Sequence, residues 1–105
     1  MKKIECVLKE EKMKVAVDSL LLAGAPGITV TKVEGIGTQR VTGEPLLKPK
    51  VKIEIYLDDD EVDTIIKTLE IAGRDGKMGD GKIAVMDVEN LFRVRTGEQG
   101  KEALY

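Results

Sequence analysis

The stretch KVKIEIYL, residues 50–57, alternates without a break: Val51, Ile53, Ile55 and Leu57 fall on one face, Lys52, Glu54 and Tyr56 on the other. Successive side chains of a strand point to opposite faces, so this pattern predicts a strand with one buried and one polar face. DDDE follows at 58–61, and then Val62, Ile65, Ile66 and Leu69 at i, i+3, i+4, i+7, the spacing of an amphipathic helix. The acidic run suits the positive end of that helix's dipole. A one-faced strand followed by a helix that can cover it points to a two-layer α+β domain.

The flanking segments extend the pattern. In KKIECVLK (2–9), Ile4, Cys6 and Leu8 alternate with Lys3, Glu5 and Val7, which predicts a first strand. Residues 10–23 predict a helix whose apolar face is supplied by Val15, Leu20, Leu21 and the alanines, stopped by Gly24, Ala25, Pro26 and Gly27. The β-branched run GITVTKVEGI (27–36) predicts a second strand, IAVMDV (83–88) a fourth, and LFRVRT (91–96) one more short strand. The order β-α-β-β-α-β is that of the ferredoxin-like sandwich: an antiparallel sheet with two helices on one face, here with a short C-terminal strand. A length of 105 residues suits one domain, 1–105. Its irregular parts are the connection at about 37–49, the glycine-rich loop at about 73–82 and the C-terminal segment at about 91–105. The first is long for a hairpin loop, and long connections tend to be functional.

Composition narrows the function classes. The net charge of −2 argues against nucleic acid or a membrane surface, both of which call for a basic excess. RNA binding would also call for aromatics on the sheet, and the chain has only Tyr56, Phe92 and Tyr105. Cys6 is the single cysteine, and the N-terminal MKKIECVLKEEK lacks the apolar core of a secretory signal, so a cytoplasmic protein is expected. There is no histidine, which removes the commonest general base and metal ligand. The one serine, Ser19, lies in a helix with no base to activate it, and Asn90 is the one asparagine. No catalytic constellation emerges, so a non-enzyme is expected. A weak ATPase or acylphosphatase-like hydrolase is the runner-up, and a metal-tolerance protein of related architecture ranks below it.

Three features point to an anionic ligand. The loop at 73–82 combines Gly73, Gly76, Gly79 and Gly81, which can expose N–H groups, with Lys77 and Lys82. It is not a Walker A loop, because the spacing differs and no Ser or Thr follows the lysine. A phosphate cradle and a plain glycine-rich turn both remain open. Arg93 and Arg95 would share one side of a strand, an arrangement that calls for an anion between them, unless the strand is a solvated edge. Gly35, Ile36 and Gly37, followed by Gln39 and Arg40, close the second strand and permit close approach of a ligand to the backbone, although taken alone they read first as ordinary hairpin punctuation.

MKKIE, GITVTKVEGIG, PKVKIEIYL, GRDGKMGDGKIAV and FRVRTGEQG, in that order and over nearly the whole chain, resemble the PII family of signalling proteins. The resemblance implies a homotrimer of ferredoxin-like subunits with ATP or ADP bound in each cleft between subunits. It implies that Gly79, Asp80, Gly81 and Lys82 cradle phosphates with Arg93 and Arg95. Gly27 and Thr29 would lie near the adenine, Glu54 and Tyr56 in the cleft, and Gly35, Ile36, Gly37 and Thr38 would complete the site. Gln39 matches the glutamine that coordinates Mg²⁺ on ATP, and Lys50 the lysine that meets 2-oxoglutarate. Such proteins control nitrogen-metabolism enzymes or transporters through the long loop; some divergent members instead sense adenylates or bicarbonate. Here that loop is short and has neither the tyrosine nor the serine that the family modifies, its hydroxyls being Thr38 and Thr42. Thr38 stands where an arginine is common, Asp75 where a threonine is common, and Ala84 where an aromatic is common.

Overall fold

In the computed structural model the chain runs β1 (Lys2–Lys9), α1 (Met13–Leu22), β2 (Thr29–Gly35), β3 (Lys48–Leu57), α2 (Val62–Gly73) and β4 (Lys82–Asp87). The structure describes residues 1–38, 42–78 and 80–105. The strands form one sheet in the order β2-β3-β1-β4, with every neighbouring pair antiparallel. This is the expected ferredoxin-like arrangement.

The core forms where the alternation predicts it. Pairing Ile4 with Ile55, Cys6 with Ile53 and Leu8 with Val51 puts all six, with Leu57, on the helix side of the two central strands. Ala16 and Leu20 of α1 and Ile65, Leu69 and Ala72 of α2 cover them. Fully burying an aliphatic side chain is worth about 1.5–3 kcal/mol, so this cluster is the main stabilising feature of the subunit. Cys6 is completely buried, and burial pushes its thiol up to about 11. It should therefore resist alkylation at pH 8 in the native protein and react once denaturant exposes it. Rapid labelling of the native protein would contradict this packing.

Two expectations are corrected. α1 does not bury Val15 or Leu21, which are 53% and 61% exposed; its inward stripe is Ala16 and Leu20. Residues 16 and 20 are one turn apart and define the inward face, which leaves 15 and 21 off its edge. The stop itself is as expected. Gly24 has φ +83°, its N–H reaches the Leu21 carbonyl at 3.1 Å, and the Ala25 N–H reaches that of Leu20 at 3.0 Å.

Residues 91–96 form no regular strand. Phe92 makes a single bridge with Gln99, and the Gly97 N–H bonds the Arg93 carbonyl at 2.8 Å, so the chain turns back at once. The short-strand expectation fails because the sequence turns before it can pair along a sheet edge. The segment is anchored instead by buried Leu104, by a 3.2 Å ion pair between Lys101 and Asp58, and by the Tyr105 hydroxyl, which donates to Glu61. Asp59 pairs with the N-terminal ammonium at 2.9 Å, so the acidic run at 58–61 is partly neutralised. Among the described residues, no helix is long and apolar enough to cross a membrane.

Candidate functional site

The sheet has two ends. At one lie Lys9, Lys50, Lys48, Gly35 and Lys82, brought together by the pairings Lys9 with Lys50, Gly35 with Lys48 and Val7 with Lys82. At the other lie Lys2, Leu57 and Asp87, with the C-terminal segment beyond them. β1 takes seven steps between these ends, roughly 23 Å at the rise of a strand.

At the Lys9 end a groove of about 620 Å³ opens between the exit of β2 and the entry of β4. That volume is in the range of small-molecule sites. Gly35, Ile36, Gly37 and Thr38 form one wall, Asp80, Gly81 and Lys82 the other, Lys50 and Lys77 flank it, and Glu5, Val7 and Ala84 lie beneath. Three lysines face two carboxylates there, so the groove leans cationic. Eight of the expected ligand-binding residues thus meet at one place. Lys77, the second cation of the glycine-rich loop, also lines the groove. Gln39 and Gly79, expected at this site, lie outside the described residues.

The glycine-rich loop is less open to an anion than its glycines suggest. The Asp80 Oδ2 accepts the N–H groups of Asp75 at 3.1 Å and Gly76 at 3.0 Å, and the Asp75 Oδ1 accepts that of Lys77 at 2.9 Å. The loop's first half is therefore satisfied by its own carboxylates. The Asp75 carboxyl is held well below the usual carboxylate range, first by its hydrogen bonding with the Asp80 carboxyl, then by the Lys77 N–H and the Lys9 ammonium. Asp80, expected on the phosphates, here organises the loop. Gly81 itself has φ +102°, and a Cβ there would stand 1.9 Å from the Val7 carbonyl oxygen. Only glycine lets the loop lie this close to β1.

The remaining expected residues do not line the groove, although Glu54 is the strand partner of Glu5 beneath it. Thr29 is paired with Glu54 at the far end of β2, six steps or roughly 20 Å from Gly35. Gly27 precedes it on the surface. Glu54 and Tyr56 occupy the face of β3 opposite the helices. There Glu54 meets the Lys3 ammonium at 3.0 Å, which lowers its pKa, and the same ammonium lies 5.8 Å from the Tyr56 ring centre. Arg93 and Arg95 follow the Asp87 end. Arg93 pairs with Glu98 at 3.2 Å and donates to the Glu102 carbonyl at 3.2 Å, while Arg95 is exposed. Within one subunit, therefore, the turn at 93–97 leaves the arginines at the opposite end of the sheet from the glycines and lysines of the groove.

The described residues contain no group of three or more acidic or cysteine side chains that could hold a metal ion. The acidic run at 58–61 is spent on the N-terminal ammonium, Lys101 and the helix terminus.

Comparison with known proteins gives these placements a context. The family model "Nitrogen regulatory protein P-II" matches residues 1–98. The chain is 39% identical to nitrogen regulatory protein P-II 2 of Methanothermobacter thermautotrophicus, over 99% of this chain and 97% of that one. It is 41% identical to nitrogen regulatory protein P-II of Mesorhizobium japonicum and to nitrogen regulatory protein P-II 1 of Escherichia coli, in both cases over 99% of this chain and 100% of the relative. These alignments span 112 positions against the 105 residues here, which fits a chain with a shortened connection. With the family model spanning almost the whole sequence and the ferredoxin-like sheet in place, the chain belongs to the P-II family of nitrogen regulatory proteins.

Proposed function

We propose that this protein is a non-catalytic cytoplasmic regulator that binds ATP or ADP in clefts between the subunits of a homotrimer. It would act on a partner protein, an enzyme or transporter of nitrogen metabolism, through the connection at 37–49. The observation that carries this reading is the division of the expected ligand residues into two sets. Gly35 to Thr38, Lys50 and Asp80 to Lys82 meet at the groove, whereas Arg93 and Arg95 follow the Asp87 end of the sheet, roughly 23 Å away along β1. Each set becomes useful when a second copy brings its arginines to the first copy's groove. Glu54, Tyr56 and Thr29 lie on the helix-free face of the sheet, the face left for another subunit.

The groove fits the phosphates of a nucleotide through Lys82, Lys77 and Lys50. Mg²⁺ would take its donors from those phosphates and from Gln39, and would supply charge neutralisation and a contact for 2-oxoglutarate, with Lys50 as that metabolite's cation. The short connection, without tyrosine or serine, also suits an adenylate or bicarbonate sensor with no link to nitrogen control.

Calorimetric titration with ATP and ADP, with and without Mg²⁺ and 2-oxoglutarate, tests the reading. Lys82→Ala and Arg95→Ala are each expected to weaken nucleotide binding at least tenfold, or about 1.4 kcal/mol. Wild-type affinity in both variants would remove the phosphate assignment. Binding that the metabolite leaves unchanged would favour the adenylate sensor.

A further inference from the structure

Lys9 ends β1 where the glycine-rich loop passes. Its ammonium lies 3.0 and 3.3 Å from the two carboxylate oxygens of Asp75 and 3.4 Å from Oδ1 of Asp80. These are the same two carboxylates around whose oxygens the loop's N–H groups are wound. All three side chains are mostly shielded, at 18% exposure for Lys9, 21% for Asp75 and 26% for Asp80. The backbone of Lys9 is fixed by its pairing with Lys50 on the central strand β3. One ammonium on a rigid strand therefore holds both ends of a loop that otherwise touches β1 through the close approach of Gly81 to Val7.

We propose that Lys9 is a positioning residue for the anion-binding loop: by bridging Asp75 and Asp80 it ties the loop to the end of β1 and so sets the position of Lys82 at the groove. The proposal rests on the nucleotide reading of that groove, but the brace itself can be tested without a nucleotide. It assigns Asp75 a role that its charge alone would not suggest. A carboxylate near a phosphate site repels the ligand, so as a bare field charge Asp75 would weaken binding. As half of the brace it strengthens binding, and the two roles predict opposite signs.

The deciding variant is Asp75→Asn, which keeps an oxygen for the Lys77 N–H and removes the charge that Lys9 grips. It is expected to weaken ATP binding about threefold to tenfold and to speed amide exchange at residues 76–78 and 80–82, in keeping with the modest energies of partly exposed ion pairs. Lys9→Met should do the same, Lys9→Arg should restore most of the wild-type behaviour, and Lys9→Met with Asp75→Asn should be little worse than either alone. Continued protection of Cys6 from alkylation would show that the core is intact in each variant. Tighter or unchanged ATP binding in Asp75→Asn, with exchange in the loop also unchanged, would overturn the proposal. A wild type that binds no adenine nucleotide would sink the functional reading, and the exchange measurement would still decide whether Lys9 braces the loop.

Discussion

Gly81→Ala is expected to remove about 2–4 kcal/mol of stability and to weaken nucleotide binding by more than tenfold. Two costs combine. The backbone at φ +102° is strained for any residue with a Cβ, at about 1–3 kcal/mol. The new methyl would also stand 1.9 Å from the Val7 carbonyl oxygen, and that carbonyl cannot retreat without disturbing β1, which pairs on both sides. The loop must therefore lift off the strand and carry Lys82 with it. Gly27→Ala is the matching control for stability, because a Cβ there meets nothing within 4 Å and the backbone is not in the left-handed region. Urea denaturation of both variants checks the contrast. A Gly81→Ala protein as stable as Gly27→Ala would mean that the loop does not lie against Val7.

Ile53→Ala is expected to cost about 2–5 kcal/mol, the range for truncating a fully buried aliphatic side chain. Ile53 is 0% exposed at the centre of β3, opposite Cys6 on one side and Val30 on the other. Both neighbours are held in ladders, so the cavity has little room to collapse. Against the 5–15 kcal/mol typical of a whole domain, such a loss lowers the denaturation midpoint markedly. Alkylation of Cys6 should accelerate in parallel, since it packs directly across from the truncated side chain. A loss below about 1 kcal/mol would show that the helix side of the central strands is not the core. Comparisons belong at one protein concentration, because an assembly couples stability to concentration.

The fold was legible where period and burial coincide. The strict alternation of 50–57 and of Ile4, Cys6 and Leu8 corresponds to side chains that are almost all at 0% exposure. The 62–69 pattern likewise marks the face of α2 that reaches the core. Legibility failed where one residue type fits several roles. Val15 and Leu21 are apolar yet face outward, because composition does not say which arc of a short helix meets the sheet. Arg93 and Arg95 share the i, i+2 spacing of a strand, but a turn stabilised by Glu98 and Gly97 intervenes. In the candidate site, the glycines and Lys82 were readable from the loop itself. Lys9 and Asp75 were not, because a contact across 66 residues leaves no local pattern. The departure of Asp75 from the threonine that the family resemblance implies was the one available signal, and its meaning appears only beside Lys9.

If each nucleotide site is shared between two copies of the chain, as proposed, mixing two defective proteins should rebuild intact sites. Lys82→Ala damages the groove and leaves the arginines; Arg95→Ala does the reverse. Co-refolded trimers should regain a fraction of sites with wild-type ATP affinity by calorimetry, because a cleft with its groove from the Arg95→Ala chain and its arginines from the Lys82→Ala chain is intact. If the mixture binds no better than either variant alone while each retains its assembly, both lesions lie in the same site of one chain and the shared-cleft account is wrong.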